Sequence, residues 1–398
     1  PSSKSKKWVA ATSLSFCIFG SNGISHAEII TGAIAKRWQK SMVSTHKVLI
    51  CGGSGFIGSS LAIGLKQRFK AWEIICLDNL KRRGSELNLS RLKDAGIQFF
   101  HGDIRLATDL SPDVFNVDTI IDCSAEPSVL AGFSSPDYVL QTNLVGTINI
   151  LELARKTHAD PLFLSTSRVY PIEPLKSIAL VEEKTRFSIA PQQTLTGFSA
   201  RGVAEKFSLS GYRSLYGTTK LASELLIEEY RHAYGLKAVI NRCGVVTGPW
   251  QMGKVDQGVF VLWVAAHHYQ KSLKYIGYGG GGKQVRDLLH VQDLLNLVEY
   301  QLANFAALDG AVANVGGGLE GSLSLLETTA LCETITQQSI NIQPVAEERV
   351  GDVPLFVMDN TLIHSQTGWQ PTHTPEQTLE EIYKWLLTYE TMLRPILA

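Results

Sequence analysis

Tyr216 and Lys220 stand four residues apart in the stretch Ser214-Leu215-Tyr216-Gly217-Thr218-Thr219-Lys220. Leu221, Leu225, Leu226 and Tyr230 continue it with helical periodicity, so tyrosine and lysine share one face of an amphipathic helix. Tyrosine titrates at about 10, and holding it as a phenolate at neutral pH takes about 4 kcal/mol. A neighbouring ammonium supplies part of that. A phenolate so held takes a proton from a hydroxyl, which becomes an oxidation if a hydride acceptor lies alongside. Without such an acceptor the pair is two surface residues on a helix. Upstream, Leu164-Ser165-Thr166-Ser167-Arg168-Val169-Tyr170 ends an apolar run in hydroxyls, one of which can hydrogen-bond a reacting oxygen.

The acceptor's seat is written near the start. Val48-Leu49-Ile50-Cys51 runs into Gly52, Gly55 and Gly58, and a helical pattern (Leu61, Ala62, Leu65) follows. Strand, tight turn and helix in that order let backbone approach a pyrophosphate, with the positive end of the helix facing it. The second apolar run ends in Asp78, 20 residues after Gly58, where a carboxylate can accept from the adenosine ribose hydroxyls. Phe56, Ile57 and Asn79 complete this expected cofactor surface, and Asp103 and Ile104, after a third run, are placed to meet the adenine. Asp78 repels a 2′-phosphate and favours NAD, whereas the basic cluster Lys81-Arg82-Arg83 is the feature that would favour NADP. If it holds no phosphate, that cluster is solvated or touches the adenosine end.

The elements that must position these groups alternate. Strand-like runs begin near Val48, Trp72, Ile97, Asp118, Pro161 and Lys237, and residues 138–158 have helical periodicity. Alternation of this kind implies an α/β fold with a Rossmann-type doubly wound parallel sheet, ligands collecting at the carboxyl ends of the strands. The expected division is an extension outside the fold (1–46), a dinucleotide-binding domain (47–246, with 287–313 returning to it) and a smaller, partly interleaved lobe (247–398). Lysine plus arginine (37) balance aspartate plus glutamate (37), which argues against nucleic acid or an anionic membrane as partner. The six cysteines form no C-x-x-C pair, and most end apolar runs, as free thiols in a reducing, cytoplasmic setting do. The leader (Lys4, Lys6, Lys7, then an apolar stretch) resembles a targeting signal, while Met42 is a natural start for the domain. His267-His268 lacks partners at metal-ligand spacing, so no metal is expected. Gly279 to Gly282 reads as a turn.

Taken together, the glycine turn, Asp78 and Tyr216/Lys220 resemble the extended short-chain dehydrogenase/reductases, specifically the NAD-dependent sugar-nucleotide epimerase/dehydratase family, from about Lys47 onward. The resemblance makes Thr166, Tyr216 and Lys220 the catalytic trio. The run Gln284-Val285-Arg286-Asp287-Leu288-Leu289-His290-Val291-Gln292-Asp293 is similar to the family's R-D-x-x-H-V-x-D segment, and Asn314-Val315-Gly316-Gly317 and Gly368-Trp369-Gln370-Pro371 match later landmarks. The family then implies a nucleotide-diphosphate sugar as substrate, Arg286 and Arg349 on its diphosphate, and a homodimer. A structural partnership of Arg286 with Asp287 is the alternative reading of that arginine. The spacing of 50 residues between Thr166 and Tyr216, residues 182–187 and 197–199, Asn241-Arg242-Cys243-Gly244 and residues 248–258 are similar to the branch that inverts C2 of CDP-paratose (the CDP-tyvelose epimerases). In that branch Trp250, Gln251, Lys254, Asp256 and Gln257 would shape the sugar–nucleotide pocket. Cys51, where the family often has threonine, and Pro171, where it has glycine, depart from the pattern and leave room for another sugar.

Ser167 and Arg168 bear on the reaction class. The family's dehydratases place acidic groups directly after the threonine, to eliminate water. A hydroxyl and a guanidinium cannot act as that base. Return of the hydride, and so epimerisation, is the expected outcome. The rival readings are a 4-epimerase or 4,6-dehydratase of the same fold, or a sensor that binds dinucleotide without chemistry. The intact trio argues against the sensor.

Overall fold

The computed structural model describes residues 45–254 and 257–398. The expectations for the leader before residue 45, and for Asp256, lie outside the described residues. Strands are labelled β1 (Lys47–Cys51), β2 (Glu73–Asp78), β3 (Gln98–His101), β4 (Thr119–Asp122), β5 (Asp160–Thr166), β6 (Val239–Cys243), β7 (Val245–Thr247), β8 (Val285–His290), β9 (Val312–Val315), β10 (Ser322–Ser324) and β11 (Leu355–Phe356). The helices that matter for the site are α1 (Phe56–Arg68), α2 (Gly146–Thr157), α3 (Leu215–Tyr234), α4 (Val259–His268), α5 (Val291–Ala303), α6 (Leu325–Thr336) and α7 (Pro375–Thr388).

The main sheet has seven strands in the order β9-β6-β5-β4-β1-β2-β3, parallel throughout. Its central strands are continuous apolar runs because helices cover both faces, and Val48, Leu49 and Ile50 are fully buried. Strand order reverses between β1 and β4, which opens a crevice at their carboxyl ends. His46 already belongs to the sheet edge, since its carbonyl accepts the Glu73 N–H and its Nε2 lies 3.0 Å from the Thr119 hydroxyl. Cys51, Cys76, Cys123, Cys243 and Cys332 are free thiols.

The helix expected over residues 138–158 is interrupted. A helix at Pro136–Leu140 passes into a π-turn at Gln141–Val145 before α2 begins. The wider turn frees the Asn143 carbonyl, which accepts from the hydroxyls of Thr147 (2.9 Å) and Ser223 (3.3 Å). Periodicity alone could not show this, because the apolar positions stay in phase across it.

A second sheet, β7-β8-β10 with β11 against β8, forms the floor of the lobe. Since β8 pairs there, the boundary expected at residue 287 falls inside a lobe strand. The chain re-enters the main layer through α5 and β9. The lobe's own core gathers Phe260, Trp263, Leu379, Ile382 and Trp385 from α4 and α7. The inserted segment between Thr166 and Tyr216 forms two short hairpins, Leu180–Glu182 with Phe187–Ile189 and Phe198–Ser199 with Gly202–Val203. It braces the lobe, with Lys283 on Glu182 at 2.7 Å and the Ser324 hydroxyl on the Thr185 carbonyl at 2.8 Å. The glycine run is a turn before β8, with Gly279, Gly280 and Gly282 at positive φ.

His267 is buried, its Nδ1 bonded to the Trp263 carbonyl at 2.7 Å, and His268 pairs with Glu390, so both serve packing. Elsewhere His290, His373 and Glu381 converge. There Nδ1 of His290 accepts the Gln292 N–H (3.2 Å), and its Nε2 lies 3.3 Å from a Glu381 carboxylate oxygen.

Candidate active site

At the end of β1 the chain turns at Gly52 (φ +72°), and the N–H groups of Gly52 and Gly53 donate to the Leu77 carbonyl at 2.9 and 3.1 Å. A Cβ on Gly58 would lie 2.2 Å from the Gly52 oxygen, so only glycine lets the first turn of α1 close on the loop. Among the described residues no side chain caps α1 at Gly55, which leaves its leading amides open, with Phe56 and Ile57 packed on the core. Asp78 accepts from the Ser54 N–H (3.1 Å) and the Leu80 N–H (2.8 Å). Burial raises its pKa, and those two bonds oppose the rise. Asn79 donates to Asp103 at 3.0 Å, and Arg105 holds the Asp103 carboxyl down at about 2. Ile104 packs against Gly146. A glycine cradle, an uncapped helix start and an acidic rim over β2 and β3 fit the pyrophosphate and adenosine of NAD.

The basic cluster after β2 faces elsewhere than expected. Arg82 donates to the Met252 carbonyl (2.8 Å) and to the Gln257 side chain, and Arg83 reaches the Pro395 carbonyl. These arginines cross to the lobe because the loop at the carboxyl end of β2 lies against it. Sequence distance conceals that proximity.

Thr166 ends β5, and its hydroxyl stands on the side of the Tyr216 phenol, where it favours the phenolate. Two features hold them together. Ser214 caps α3 by accepting the Gly217 N–H (3.2 Å), and a Cβ on Gly217 would sit 2.0 Å from the Arg168 carbonyl. Glycine after the tyrosine therefore lets the helix start dock on the turn that follows Thr166. Lys220 is buried, its Nζ donating to the carbonyls of Leu164 (2.9 Å) and Ser124 (3.4 Å) and lying 4.2 Å from the centre of the Phe163 ring. Burial lowers its pKa, against the pull of Asp122. Burial likewise pushes Tyr216 up to about 12, despite the Thr166 hydroxyl and the charge of Arg168. The protein's own groups thus hold a neutral phenol, and the positive charge of a bound nicotinamide ring is the remaining contribution expected to favour the phenolate.

Behind the trio lies a buried polar chain that sequence reasoning missed. Glu224, one turn beyond Lys220, accepts from the Ser165 hydroxyl and from Arg242, whose Nη2 is 2.7 Å away. Arg242 continues to the Tyr170 hydroxyl (3.3 Å), and Tyr170 donates to Asn314 on β9 (2.7 Å). The available signal was a glutamate on the same helical face as Tyr216 and Lys220. Asn143 in the π-turn splices the loop after β4 to α3, accepting the Glu126 N–H (2.7 Å) and donating to the Glu126 carbonyl (3.1 Å) and the Thr219 hydroxyl (3.2 Å).

On the substrate side, Ser167, Arg168 and Arg286 line one cavity with Ser214 and Gly351. Arg286 pairs with Asp352 (2.5 Å) rather than with its neighbour Asp287, which instead accepts the backbone N–H groups of Gly318 and Met358. Arg349 opens the turn 349–352, where the Asp352 N–H donates to its carbonyl. Trp250 lies apart from this cavity, its ring 4.0 Å from the Arg91 guanidinium and 4.7 Å from the Tyr389 ring. Gln251 is spent on Thr247 and the Val246 carbonyl. Lys254 and Gln257 close a backbone bridge, and the Gln257 amide reaches Glu126 at 3.4 Å, whose charge is felt at Tyr216.

Residues 48–316 match the NAD dependent epimerase/dehydratase family. The chain is 31% identical over 355 residues to CDP-paratose 2-epimerase of Salmonella typhi, covering 85% of this chain and 98% of that protein. It is 26% identical to dTDP-glucose 4,6-dehydratase of Mycolicibacterium smegmatis, over 88% of this chain and 96% of the relative. Its fold is similar to that of UDP-glucuronic acid 4-epimerase from Bacillus cereus (TM-score 0.70, 24% identity, 86% and 99% of the two chains). With the cradle, the trio and these matches in agreement, the chain belongs to the NAD-dependent epimerase/dehydratase family and acts with NAD on a nucleotide-diphosphate sugar.

Proposed function

We propose that this enzyme epimerises a nucleotide-diphosphate sugar at C2, as CDP-paratose 2-epimerase does by name. The observation that carries epimerisation is the pair after Thr166. Ser167 and Arg168 stand there, and Arg168 is held by the Gly351 carbonyl (2.9 Å), so neither of these two positions offers a carboxylate for elimination. The choice of C2 and of a CDP-sugar rests on similarity, here 31% identity over nearly the whole relative.

The cradle of Gly52, Gly55 and Gly58, with Asp78 on its rim, would hold NAD, which would supply a reversible hydride acceptor there. The protein's part is proton handling and orientation. Thr166 holds the reacting hydroxyl oxygen, Tyr216 takes its proton and later gives it back, and buried Lys220 contributes positive charge beneath. Between the two transfers the oxidised sugar must turn while its diphosphate stays anchored, which puts the anchoring burden on Arg286 and Arg349.

Dehydration is the rival reading, and one observation favours it. Glu126 carries a carboxylate whose charge is felt at Tyr216, and it receives the Gln257 amide. Reaction in deuterated water, followed by NMR, separates the two. Epimerisation by hydride return leaves the inverted carbon with its own hydrogen and loses no water. Solvent deuterium at C5 with a 6-deoxy-4-keto product establishes dehydration, and inversion at C4 overturns only the regiochemistry. Exposed Leu140 and Leu225, on the helices flanking α2 and on α3, suit pairing with a second copy of the chain, which sedimentation velocity would show.

A further inference from the structure

The loops after β2 and β4 stand on either side of the glycine turn, because β1 lies between those two strands in the sheet. A contact that joins them therefore crosses the mouth of the cofactor cradle. Gln257 makes that contact from the lobe. Its Oε1 accepts from Arg82 on the β2 side, and its Nε2 donates to the Glu126 carboxylate on the β4 side at 3.4 Å. Both ends are fixed to elements of the cofactor site. The Ser85 hydroxyl donates to the Arg82 carbonyl, and the hydroxyl of Ser54, inside the glycine turn, donates to the Ser85 carbonyl, each at 2.6 Å. Glu126 is held by the Asn143 side chain, and its charge is felt at Tyr216. From Arg82 to Glu126 the contact follows the course of an extended dinucleotide, from the ribose carboxylate Asp78 toward the tyrosine. The arm that carries Gln257 lies along the β2 side, where Trp250 covers the Arg91 guanidinium and Arg82 donates to the Met252 carbonyl (2.8 Å). It leaves the lobe at Gly248 and Trp250 (φ +146° and +73°) and rejoins it at Gly258 (φ +70°), left-handed turning points at both ends.

We propose that Gln257, joined to Arg82 and Glu126, is a tie across the cofactor cleft that retains the nicotinamide nucleotide between removal of the hydride and its return. The inference rests on the hydride-return reading above and gives Gln257 a place on the cofactor side of the cleft. Were the reduced nucleotide to leave between the two transfers, the protein would hold a keto-sugar and nothing to reduce it. Fast exchange of cofactor is therefore a fault in this reaction. A tie made of one neutral side chain between a guanidinium and a carboxylate opposes exchange without adding charge at the pyrophosphate.

The test uses the full chain exchanged into NADH and follows the nucleotide's fluorescence. Exit is read under a chase of excess NAD, and entry on remixing NADH with nucleotide-stripped protein. A tie across the mouth slows passage both ways, whereas a side chain that only touches the nucleotide slows exit alone. Q257A is expected to speed exit roughly tenfold to a hundredfold, the loss of hydrogen bonds to charged groups, and to speed entry as well. R82Q is expected to do the same, and adding Q257A to it should bring no more than about a further twofold, since both break one tie. Far-UV circular dichroism and urea midpoints report folding, and R82Q stands as an independent arm if Q257A is unstable. Exit from Q257A within about twofold of wild type, or faster exit without faster entry, overturns the tie. The reaction in deuterated water reads the chemistry separately. An inverted carbon that keeps its hydrogen, with Q257A releasing NADH at the wild-type rate, overturns the tie and leaves the epimerase standing. A dehydrated product overturns the epimerase reading and leaves the two rates to decide the tie.

Discussion

Glu224→Gln removes the charge at the centre of the buried chain behind the active site. In the structure Glu224 and Arg242 are both buried, at 5% and 6% exposure, and the carboxylate takes two guanidinium nitrogens (2.7 and 3.1 Å) together with the Ser165 hydroxyl. Removing one partner of such a pair costs about 3–5 kcal/mol, because the other charge is stranded in low dielectric. Arg242 keeps the Tyr170 hydroxyl at 3.3 Å, and glutamine keeps an acceptor, so the lower end, about 3 kcal/mol, is expected. Urea unfolding of the NAD-loaded protein measures this through the midpoint at constant slope. The pair E224L/R242M should recover most of the loss, since it strands nothing. Activity should fall as well, roughly tenfold to a hundredfold in kcat, because Ser165 precedes Thr166 and Glu224 lies one turn from Lys220. A Glu224→Gln protein within about 1 kcal/mol of wild type, or a double variant as unstable as the single one, would refute the reasoning.

Tyr216→Phe should lower kcat by about 10²–10⁴-fold with NAD content unchanged, and near-normal turnover would remove Tyr216 from the chemistry. Gly217→Ala should separate the start of α3 from the Arg168 carbonyl, where its Cβ would stand 2.0 Å away, and reduce kcat more than it reduces stability; equal activity would show that the two elements can part without consequence. Asp287, fully buried, has its carboxyl raised to about 6 by burial. The folded state then binds more protons than the unfolded chain between about pH 4 and 6, so the stability this group contributes is present at the acid end and is lost as pH rises through that window, about 3 kcal/mol in all. Urea midpoints of wild type and D287N across pH 4–7 should converge on the acid side and diverge toward neutrality, and parallel curves would contradict the assignment.

Short-range grammar in the chain pointed to the cofactor cradle and to the candidate trio of Thr166, Tyr216 and Lys220. Gly52, Gly55 and Gly58 are needed wherever backbone must close on backbone. Asp78 ends an apolar run, and Tyr216 and Lys220 share a helix face by spacing alone. Such features survive any arrangement of the rest, because strand, turn and helix are set within about twenty residues. Other facts belonged to the tertiary structure. The partner of Arg286 is Asp352, not the adjacent Asp287, because side chains alternate across a strand and the strap 349–353 arrives on the arginine's side. Arg82 and Arg83 cross to the lobe, and Trp250 packs on Arg91 and Tyr389 rather than beside the cavity lined by Arg168 and Arg286. Glu224 and Arg242 are two charged residues in a sequence, and each is tolerable only as the other's neighbour. Burial in the assembled fold makes them a unit, because the free energy of a charge depends on its surroundings, which no local pattern records.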